Sequence, residues 1–481
     1  MKNRKINYLR NSFLLLVIVL VNLNCERDLS DDAVNATYPK TAEIFTDSPI
    51  GMGTDFYFPY APGPDNPIGS KFNAWTVDSN VSYKGNASMR FDVPNGDDPN
   101  GNYAGGIFRV DGAGRDLTGY DALTFWAKSS QNVSINEIGF GEDFNTYSGN
   151  KYITTMRNVN ITTNWVKYII PIPDASKLVN ERGMLRYAAG GTGTDKKGYT
   201  FWIDELRFEK LGTILPLQAS IMNGETITRS TFVGVTSSIT GVLATFNMPN
   251  GSNQSVAISP AFLNFTSSNP SVAKVSDTGI VTPLSAGTAV ITATFNGKPV
   301  LGSLIINCTG SFTHATKPTL NPSNVISIFS DAYTNVPVNY YNGYWAPWQT
   351  TQSSDFAVLG DNVLNYTNFN FVGIEFSSPT VNANSMTHLH FDVYIPGPVA
   401  PGRRLEIRLT DFGANGVYGG GDDSQSLPYL ASNNLVSQNW ISFEIPLSQQ
   451  VSLNSRSNLA QIILLGGDNS TLYVDNIYFH N

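Results

Sequence analysis

The sequence predicts an all-β protein. Aromatic residues make up 12% of its 481 residues and charged residues only 14%, with 42 glycines. This composition suits pleated sheets, whose faces are filled by aromatic and β-branched side chains. No long stretch has the apolar period of a helix, whereas short alternating segments bounded by Gly, Asn and Pro recur throughout. The chain is too long for a single hydrophobic core, so we expect about three domains.

Residues 1–24 predict a secretion signal. Four basic residues precede the apolar run Phe13–Leu23, and Leu-Asn-Cys follows at 23–25. The run is too short to span a bilayer. A cysteine directly after such a run resembles the bacterial lipobox, which implies that Cys25 is lipidated and becomes the first residue of the mature protein. The alternative is an ordinary cleaved signal followed by a chance cysteine.

Residues 25–48 predict a flexible tether, because the segment is too polar to bury much surface. Its acidic start, Glu26 to Asp32, resembles the surface-export signal of lipoproteins in glycan-foraging Gram-negative bacteria. The resemblance implies a lipid anchor on the outer face of the outer membrane.

Charge and cysteine content narrow the choice of partners. The formal charge is −8, and loss of the signal removes four basic and no acidic residues, which leaves −12. A chain this acidic argues against nucleic acid and against anionic ligands, so a neutral partner fits better. The second cysteine, Cys308, has no partner for an intrachain disulfide once Cys25 is lipidated.

Two distant regions of the chain repeat each other. Residues 164–172 (NWVKYIIPI) parallel 439–447 (NWISFEIPL), and 200–208 (TFWIDELRF) parallel 471–479 (TLYVDNIYF). The repeat is of a whole domain, and its short alternating strands are typical of a sandwich or jelly roll. We therefore predict two jelly-roll-type β-sandwich modules, at residues 49–210 and 311–481.

The segment between them, residues 211–310, is rich in Ser, Thr, Val and Ala and poor in Trp and Tyr. Residues 265–294 resemble the bacterial Ig-like domain of group 2, and the resemblance implies that Gly279 and Gly287 occupy turns. Such a domain has no cluster of rings or carboxylates, and we interpret it as a spacer.

Motifs for catalysis are missing from the sequence. Glycoside hydrolysis needs two carboxylates across a sugar bond, and no Glu-x-Asp-x-x-Glu run is present. The acidic pairs Glu142–Asp143, Asp97–Asp98 and Asp422–Asp423 lie in Gly- and Asn-rich contexts and predict solvated loops. His388 and His390 would share a strand face, but no third ligand lies near them in sequence. No Gly-x-Ser-x-Gly elbow occurs either.

Aromatic residues in irregular segments are the remaining candidates, because Trp and Tyr rings stack on the C–H faces of sugars. Both modules carry an aromatic-Ala-Pro string, at 60–62 and 345–347. We expect Trp345 and Trp348 to be exposed, whereas Phe56, Phe58 and Trp126 fit an alternating buried face. The candidate glycan-binding residues are Tyr57, Tyr60 and Trp75 in the first module and Tyr340, Tyr341, Tyr344, Trp345, Trp348 and Tyr418 in the second.

Residues 119–128 and 328–334 resemble jelly-roll carbohydrate-binding modules attached to laminarinase-like β-glucanases. The whole layout resembles a surface glycan-binding lipoprotein of a polysaccharide-utilisation system. The resemblance implies a non-catalytic protein that captures a neutral β-glucan, with the β-1,3-glucan laminarin as the best guess, for a neighbouring importer. Two alternatives remain open: a glycoside hydrolase with an unrecognised acid pair, and an adhesin that acts through the Ig-like domain.

The same resemblance raises the question of calcium. Carbohydrate-binding jelly rolls commonly hold a structural Ca²⁺ between their first and last strands, with oxygen ligands. The corresponding candidates are Asp331, Asp475 and Asp204. The alternative is that these carboxylates accept hydrogen bonds from backbone amides.

Overall fold

The computed structural model describes residues 37–64, 66–144, 151–358 and 360–481. They form three β-sheet units, which confirms the all-β prediction: module 1 (43–209), the Ig-like domain (215–308) and module 2 (325–480). Cys25 and the signal segment lie outside the described residues. Within the described part of the chain, no helix has the length and apolar character needed to cross a membrane.

Module 1 is a sandwich of two sheets. Its rear sheet has the strand order β3-β4-β11-β6-β9, with β1 paired to β11, and its front sheet has the order β2-β5-β10-β7-β8. A 3₁₀ turn lies at Ala175–Lys177. The strands are β1 Glu43–Phe45, β2 Tyr57–Pro59, β3 Trp75–Asp78, β4 Ser88–Val93, β5 Tyr103–Arg109, β6 Ala122–Ser129, β7 Val133–Phe140, β8 Thr154–Ile161, β9 Val166–Pro171, β10 Gly183–Gly190 and β11 Tyr199–Glu209.

The sandwich begins inside the segment that the sequence predicted as tether. Ile44 and Phe45 of β1 are 2% and 1% exposed and pair with β11. Burying two large apolar side chains stabilises this strand, at roughly 2 kcal/mol each, so it belongs to the module. Polar residues lie on both sides of Ile44 and Phe45 in the sequence, and for that reason the strand was not predicted.

The Ig-like domain consists of shorter strands. A 3₁₀ turn precedes β13 and another precedes β17, at Met222–Gly224 and Pro260–Phe262. Gly279 has φ 77° in the turn between β18 and β19, where a residue with a Cβ would be strained. The strands are β12 Leu215–Ser220, β13 Thr226–Thr231, β14 Ser237–Ser238, β15 Leu243–Asn247, β16 Asn253–Ile258, β17 Asn264–Ser267, β18 Ala273–Val275, β19 Ile280–Pro283, β20 Gly287–Phe295, β21 Lys298–Pro299 and β22 Ser303–Cys308.

Module 2 contains two long strands, β25 and β31, which pair with each other along most of their length. The first half of β25 also pairs with β24, and the second half of β31 also pairs with β26. The half at Phe371–Glu375 pairs with Gln461–Leu465, and this part of β31 also pairs with β27 to form the front sheet. Two 3₁₀ turns lie at Pro322–Asn324 and Leu447–Gln449. The strands are β23 Val325–Phe329, β24 Gln352–Val358, β25 Asp361–Glu375, β26 His388–Tyr394, β27 Leu405–Asp411, β28 Ser424–Gln425, β29 Tyr429–Ser432, β30 Trp440–Pro446 and β31 Leu459–His480.

The rear sheets of the two modules show the same geometry. The order β11-β6-β9 in module 1 matches β31-β26-β30 in module 2. In each, the residue after the repeated Asp has a positive φ, 49° at Glu205 and 52° at Asn476. The pairing register shifts beside both residues, as expected for a β-bulge. The internal repeat in the sequence is therefore a repeat of structure.

The Ig-like domain packs against both modules. The front sheet of module 1 continues from β8 into β16, β15 and β12 of the Ig-like domain. At the other end, Phe232 and Phe312, which are 1% and 8% exposed, pack against the rear face of module 2. Trp440 also donates its indole N–H to the Thr313 carbonyl. These contacts make the Ig-like domain a joint with specific packing at both ends.

Candidate functional site

The front sheet of module 2 presents an ordered outer face. Val372 and Ile374 point into the core. Because side chains alternate along a strand, positions 371, 373 and 375 face outward. Pairing of β25, β31 and β27 aligns the outward side chains in three rows across the strands. The rows are Phe371–Leu465–Glu406, Gly373–Ile463–Arg408 and Glu375–Gln461–Thr410.

Trp345 lies on this face. Its indole covers Gly373 so closely that a Cβ at position 373 would collide with the ring. The ring centroid is 6.3 Å from that of Phe371, and the indole N–H donates to Tyr340 Oη at 3.3 Å. The residue is half-buried, whereas the sequence predicted an exposed ring, because the glycine lets the indole lie against the sheet.

A hydrogen-bond network fixes the polar groups beside Trp345. Tyr340 Oη donates to Glu375 Oε2 at 2.6 Å, and Gln461 Nε2 donates to the same oxygen at 2.9 Å. Ser377 Oγ donates to Glu375 Oε1 at 2.7 Å. Burial acts to raise the pKa of Glu375, but these three donors outweigh it and lower that pKa below its usual value. The carboxylate is thus ionised at neutral pH and positioned as an acceptor.

The other predicted residues of module 2 are either highly exposed or held by hydrogen bonds away from Trp345. Trp348 and Tyr418 are each 74% exposed. Tyr344 Oη lies 2.8 Å from Ser353 Oγ, and Tyr344 and Asp331 line the same cleft. Tyr341 packs against the module core and donates to the Ile328 carbonyl at 3.0 Å. The structure therefore places Trp345 and Tyr340 together on the front face and separates Tyr341 and Tyr344 from them.

The front sheet of module 1 carries a related arrangement. Tyr60 and Tyr103 lie over Gly105, as Trp345 lies over Gly373. Tyr60 Oη donates to Glu142 Oε2 at 2.7 Å, and Arg186 pairs with the same carboxylate. Both modules thus have an aromatic-X-Gly sequence on a strand of the front sheet and a Tyr–Glu hydrogen bond beside it.

The acidic pair in that module corrects one prediction. Glu142 and Asp143 are not solvated: Asp143 is 1% exposed and lies 3.0 Å from Arg109 and 3.2 Å from Arg182. Buried charges require such partners. Both arginines are distant from Asp143 in sequence, so the local sequence did not reveal the burial.

Tyr57 and Trp75 have packing roles. Tyr57 Oη lies 3.0 Å from Tyr187 Oη, and the Tyr57 and Trp75 ring centroids are 5.5 Å apart against the module core. On β2, Tyr57 faces inward. Trp126, expected in the core, instead stacks on Tyr83 at 3.8 Å on the outer face of the rear sheet.

The carboxylates predicted for calcium differ between the modules. Asp204 accepts the backbone N–H groups of Tyr83, Lys84 and Glu205 at 2.7, 3.0 and 2.7 Å. Three converging N–H dipoles do not fit a cation, so Asp204 anchors the turn at 83–84 to β11. This is the alternative role considered for it from the sequence.

Asp475 has a different environment. It is 3% exposed, its Oδ1 accepts the Asn476 N–H at 2.6 Å, and no described residue donates to its Oδ2. Burial, with the nearby charges of Asp361, Asp392 and Asp331, raises its pKa to about 7. Asp475, Asp331 and Asp361 line one cleft of about 350 Å³. Among the described residues, however, no three His, Cys, Asp or Glu side chains come close enough to form a metal site by themselves.

Comparisons with known proteins give two family matches. Residues 44–210 match the model described as carbohydrate binding domain 30, and residues 249–299 match the bacterial Ig-like domain of group 2. The second match confirms the resemblance seen in the sequence. No curated protein matches the chain.

Solved structures of carbohydrate-binding modules are also similar, at low identity. A family 30 module of a cellulosomal cellulase of Clostridium thermocellum shares 16% identity over 35% of this chain and 97% of that chain, with a TM-score of 0.25. A tandem family 22 structure from Paenibacillus barcinonensis shares 10% identity over 93% of this chain and 100% of that chain, with a TM-score of 0.22. A family 11 module from Clostridium thermocellum, in complex with a β-1,3-1,4-mixed-linked tetrasaccharide, shares 16% identity over 31% of this chain and 98% of that chain, with a TM-score of 0.21.

Several residues of the two front faces were not predicted from the sequence, above all Glu375, Gln461, Glu142 and Arg186. They are far apart in sequence and meet only through strand register. The aromatic-X-Gly strings at 103–105 and 371–373 were the available signal. The chain therefore carries one region that matches a carbohydrate-binding domain and one that matches a bacterial Ig-like domain.

Proposed function

We propose that the chain is a non-catalytic, lipid-anchored protein of the bacterial outer surface that captures a neutral β-glucan for a neighbouring importer. The observation that carries the proposal is the front face of module 2, where Trp345 lies beside the Tyr340–Glu375–Gln461 network. A flat apolar ring next to fixed hydrogen-bonding groups matches a sugar, which has an apolar C–H face and equatorial hydroxyls. β-1,3-Glucan of the laminarin type is the specific ligand we propose.

Binding without cleavage fits the carboxylates of these faces. A glycosidase needs one carboxyl group with a raised pKa as its general acid. Glu375 has a lowered pKa, and Glu142 is engaged by Arg186 and Tyr60. Both serve better as hydrogen-bond acceptors for hydroxyl groups than as proton donors.

Two modules on one chain also favour capture of a polymer. Each open face offers modest affinity, but a polymer bound at one module is presented to the other at high effective concentration. The packed Ig-like domain restricts the spacing of the two faces. Polymer binding therefore exceeds the affinity of either face alone.

Affinity electrophoresis against a panel of neutral polysaccharides tests the ligand and the ring together. We expect laminarin to retard the chain, and Trp345→Ala to weaken binding by at least about tenfold, the effect of losing a central aromatic contact. Trp348→Ala should weaken it less, because that ring is 74% exposed and no described residue forms a hydrogen bond with its indole. Trp165→Ala, on the rear sheet, is the matched control and should migrate as the wild type does.

Unchanged retardation of the Trp345→Ala variant would refute the assignment of the front face. Incubation with laminarin followed by measurement of reducing ends completes the test, since sustained release of product would show a hydrolase.

The lipid anchor rests on Cys25 alone. We expect the wild-type chain to sediment with the outer membrane and the Cys25→Ala variant to appear in the soluble fraction. Accessibility of the wild type to a protease added to intact cells reports the surface orientation. Membrane retention of Cys25→Ala would contradict lipidation at this residue.

We further propose a structural Ca²⁺ in module 2, held by Asp475 and Asp331. Asp331 also accepts N–H groups, but all of them come from the single residue Asn362, at 2.8 to 3.2 Å. The support for this site is that the Asp475 carboxylate is buried near other carboxylates. A divalent cation would reduce the repulsion between these negative charges. Calcium should raise the melting temperature of the chain by mass action, and a chelator should reverse the effect. Asp475→Asn should abolish the calcium-dependent shift, whereas Asp204→Asn should keep it. An equal shift in the Asp475→Asn variant would exclude this site.

A further inference from the structure

A cleft of about 610 Å³ lies between β8 of module 1 and the β15–β16 hairpin of the Ig-like domain. Strands β8 and β16 pair only at Thr154–Ile258 and Thr155–Ala257 and then diverge. The divergence has a visible cause, because Gln254 Nε2 donates to the Ile169 carbonyl at 2.8 Å and holds the hairpin toward β9. Beyond Thr155, this edge of β8 therefore has no partner strand among the described residues.

The lining of the cleft is apolar at its base and rich in amides at its rim. Met156, Tyr168 and Ile169 form the half-buried base. Asn158 and Asn160 are exposed at the rim, and no described residue bonds to their side-chain amides. Amide groups over an apolar base suit a polyhydroxylated ligand.

The charges at the cleft are already neutralised. Arg157 pairs with Glu137 at 3.1 Å, and Lys167 pairs with Glu209 at 2.7 Å. An anionic ligand would have to displace these carboxylates. A neutral ligand would not.

One row of side chains connects the cleft to the front face of module 1. Strand register aligns Gly105, Ala188, Glu137 and Arg157 across β5, β10, β7 and β8. Tyr60 and Tyr103 cover the first position of this row, and Arg157 lines the cleft at the last. Three strand spacings separate the ends, about 14 Å, which is the reach of a short oligosaccharide.

We propose that this cleft is a second binding subsite for the same neutral glycan chain, so that the Ig-like domain takes part in binding and is not only a spacer. This inference rests on the function proposed for the front faces. A chain seated on Tyr60 and Tyr103 extends along the row and ends in the cleft, where the side-chain amides of Asn158 and Asn160 bind its hydroxyls. The Asn160 backbone carbonyl is already engaged, because it accepts from Tyr168 Oη at 2.7 Å.

Hydrogen exchange of the full chain, titrated with short and long β-1,3-linked glucose oligosaccharides, reads each segment separately. Both lengths should protect residues 103–109, and only the long one should protect residues 156–160. The double variant Asn158→Gly, Asn160→Ala removes the two amides, and glycine accepts the φ of 53° at position 158. It should bind the long oligosaccharide at module 1 about tenfold more weakly, as expected for two lost hydrogen bonds, and bind the short one unchanged.

Asn264→Ala, an exposed amide elsewhere in the Ig-like domain, is the control and should behave as the wild type. Protection of 103–109 without any protection of 156–160 by the long oligosaccharide would overturn the subsite and leave the proposed function standing. Absence of protection in both modules with every oligosaccharide would overturn the proposed function and the subsite with it.

Discussion

The front face of module 2 depends on one steric condition, the absence of a side chain at position 373. The Trp345 indole occupies the space that a Cβ there would fill. From this position it contacts Phe371 and donates to Tyr340, which in turn donates to Glu375. The glycine therefore fixes the ring, the ring fixes the tyrosine, and the network orients the carboxylate. Module 1 satisfies the same condition at Gly105 with two tyrosines.

The duplicated modules use their rear sheets differently. In module 2, Tyr394 and Tyr473 pack against Phe232 of the Ig-like domain and Phe312 of the segment that follows it. The equivalent positions of module 1 hold Lys128 and Trp202, with the ammonium 5.8 Å from the indole ring centroid. A lysine at the centre of this face is incompatible with a dry aromatic contact, because burying an unpaired charge is costly. Module 1 joins the Ig-like domain instead through the edge of its front sheet.

The strands, the repeat and the Ig-like domain were predictable because alternation and turn residues are local signals. Tyr340 and Trp345 were also found, since rings in a Gly- and Pro-rich segment are conspicuous. Glu375 and Gln461 were missed because 86 positions separate them and only cross-strand register joins them. Asp143 was misjudged for the same reason, as the arginines that permit its burial are distant from it in sequence. Alternation also cannot tell which face of a strand is covered, and this explains the error for Trp126.

A crystal structure of the full chain with a β-1,3-linked glucose oligosaccharide tests the central claim most directly. We expect a sugar ring to lie parallel to the Trp345 indole, with a hydroxyl donating to Glu375 and another accepting from Gln461. A sugar bound only to the rear sheet of module 1, against Trp165 and Trp202, with the front faces empty, would contradict the account.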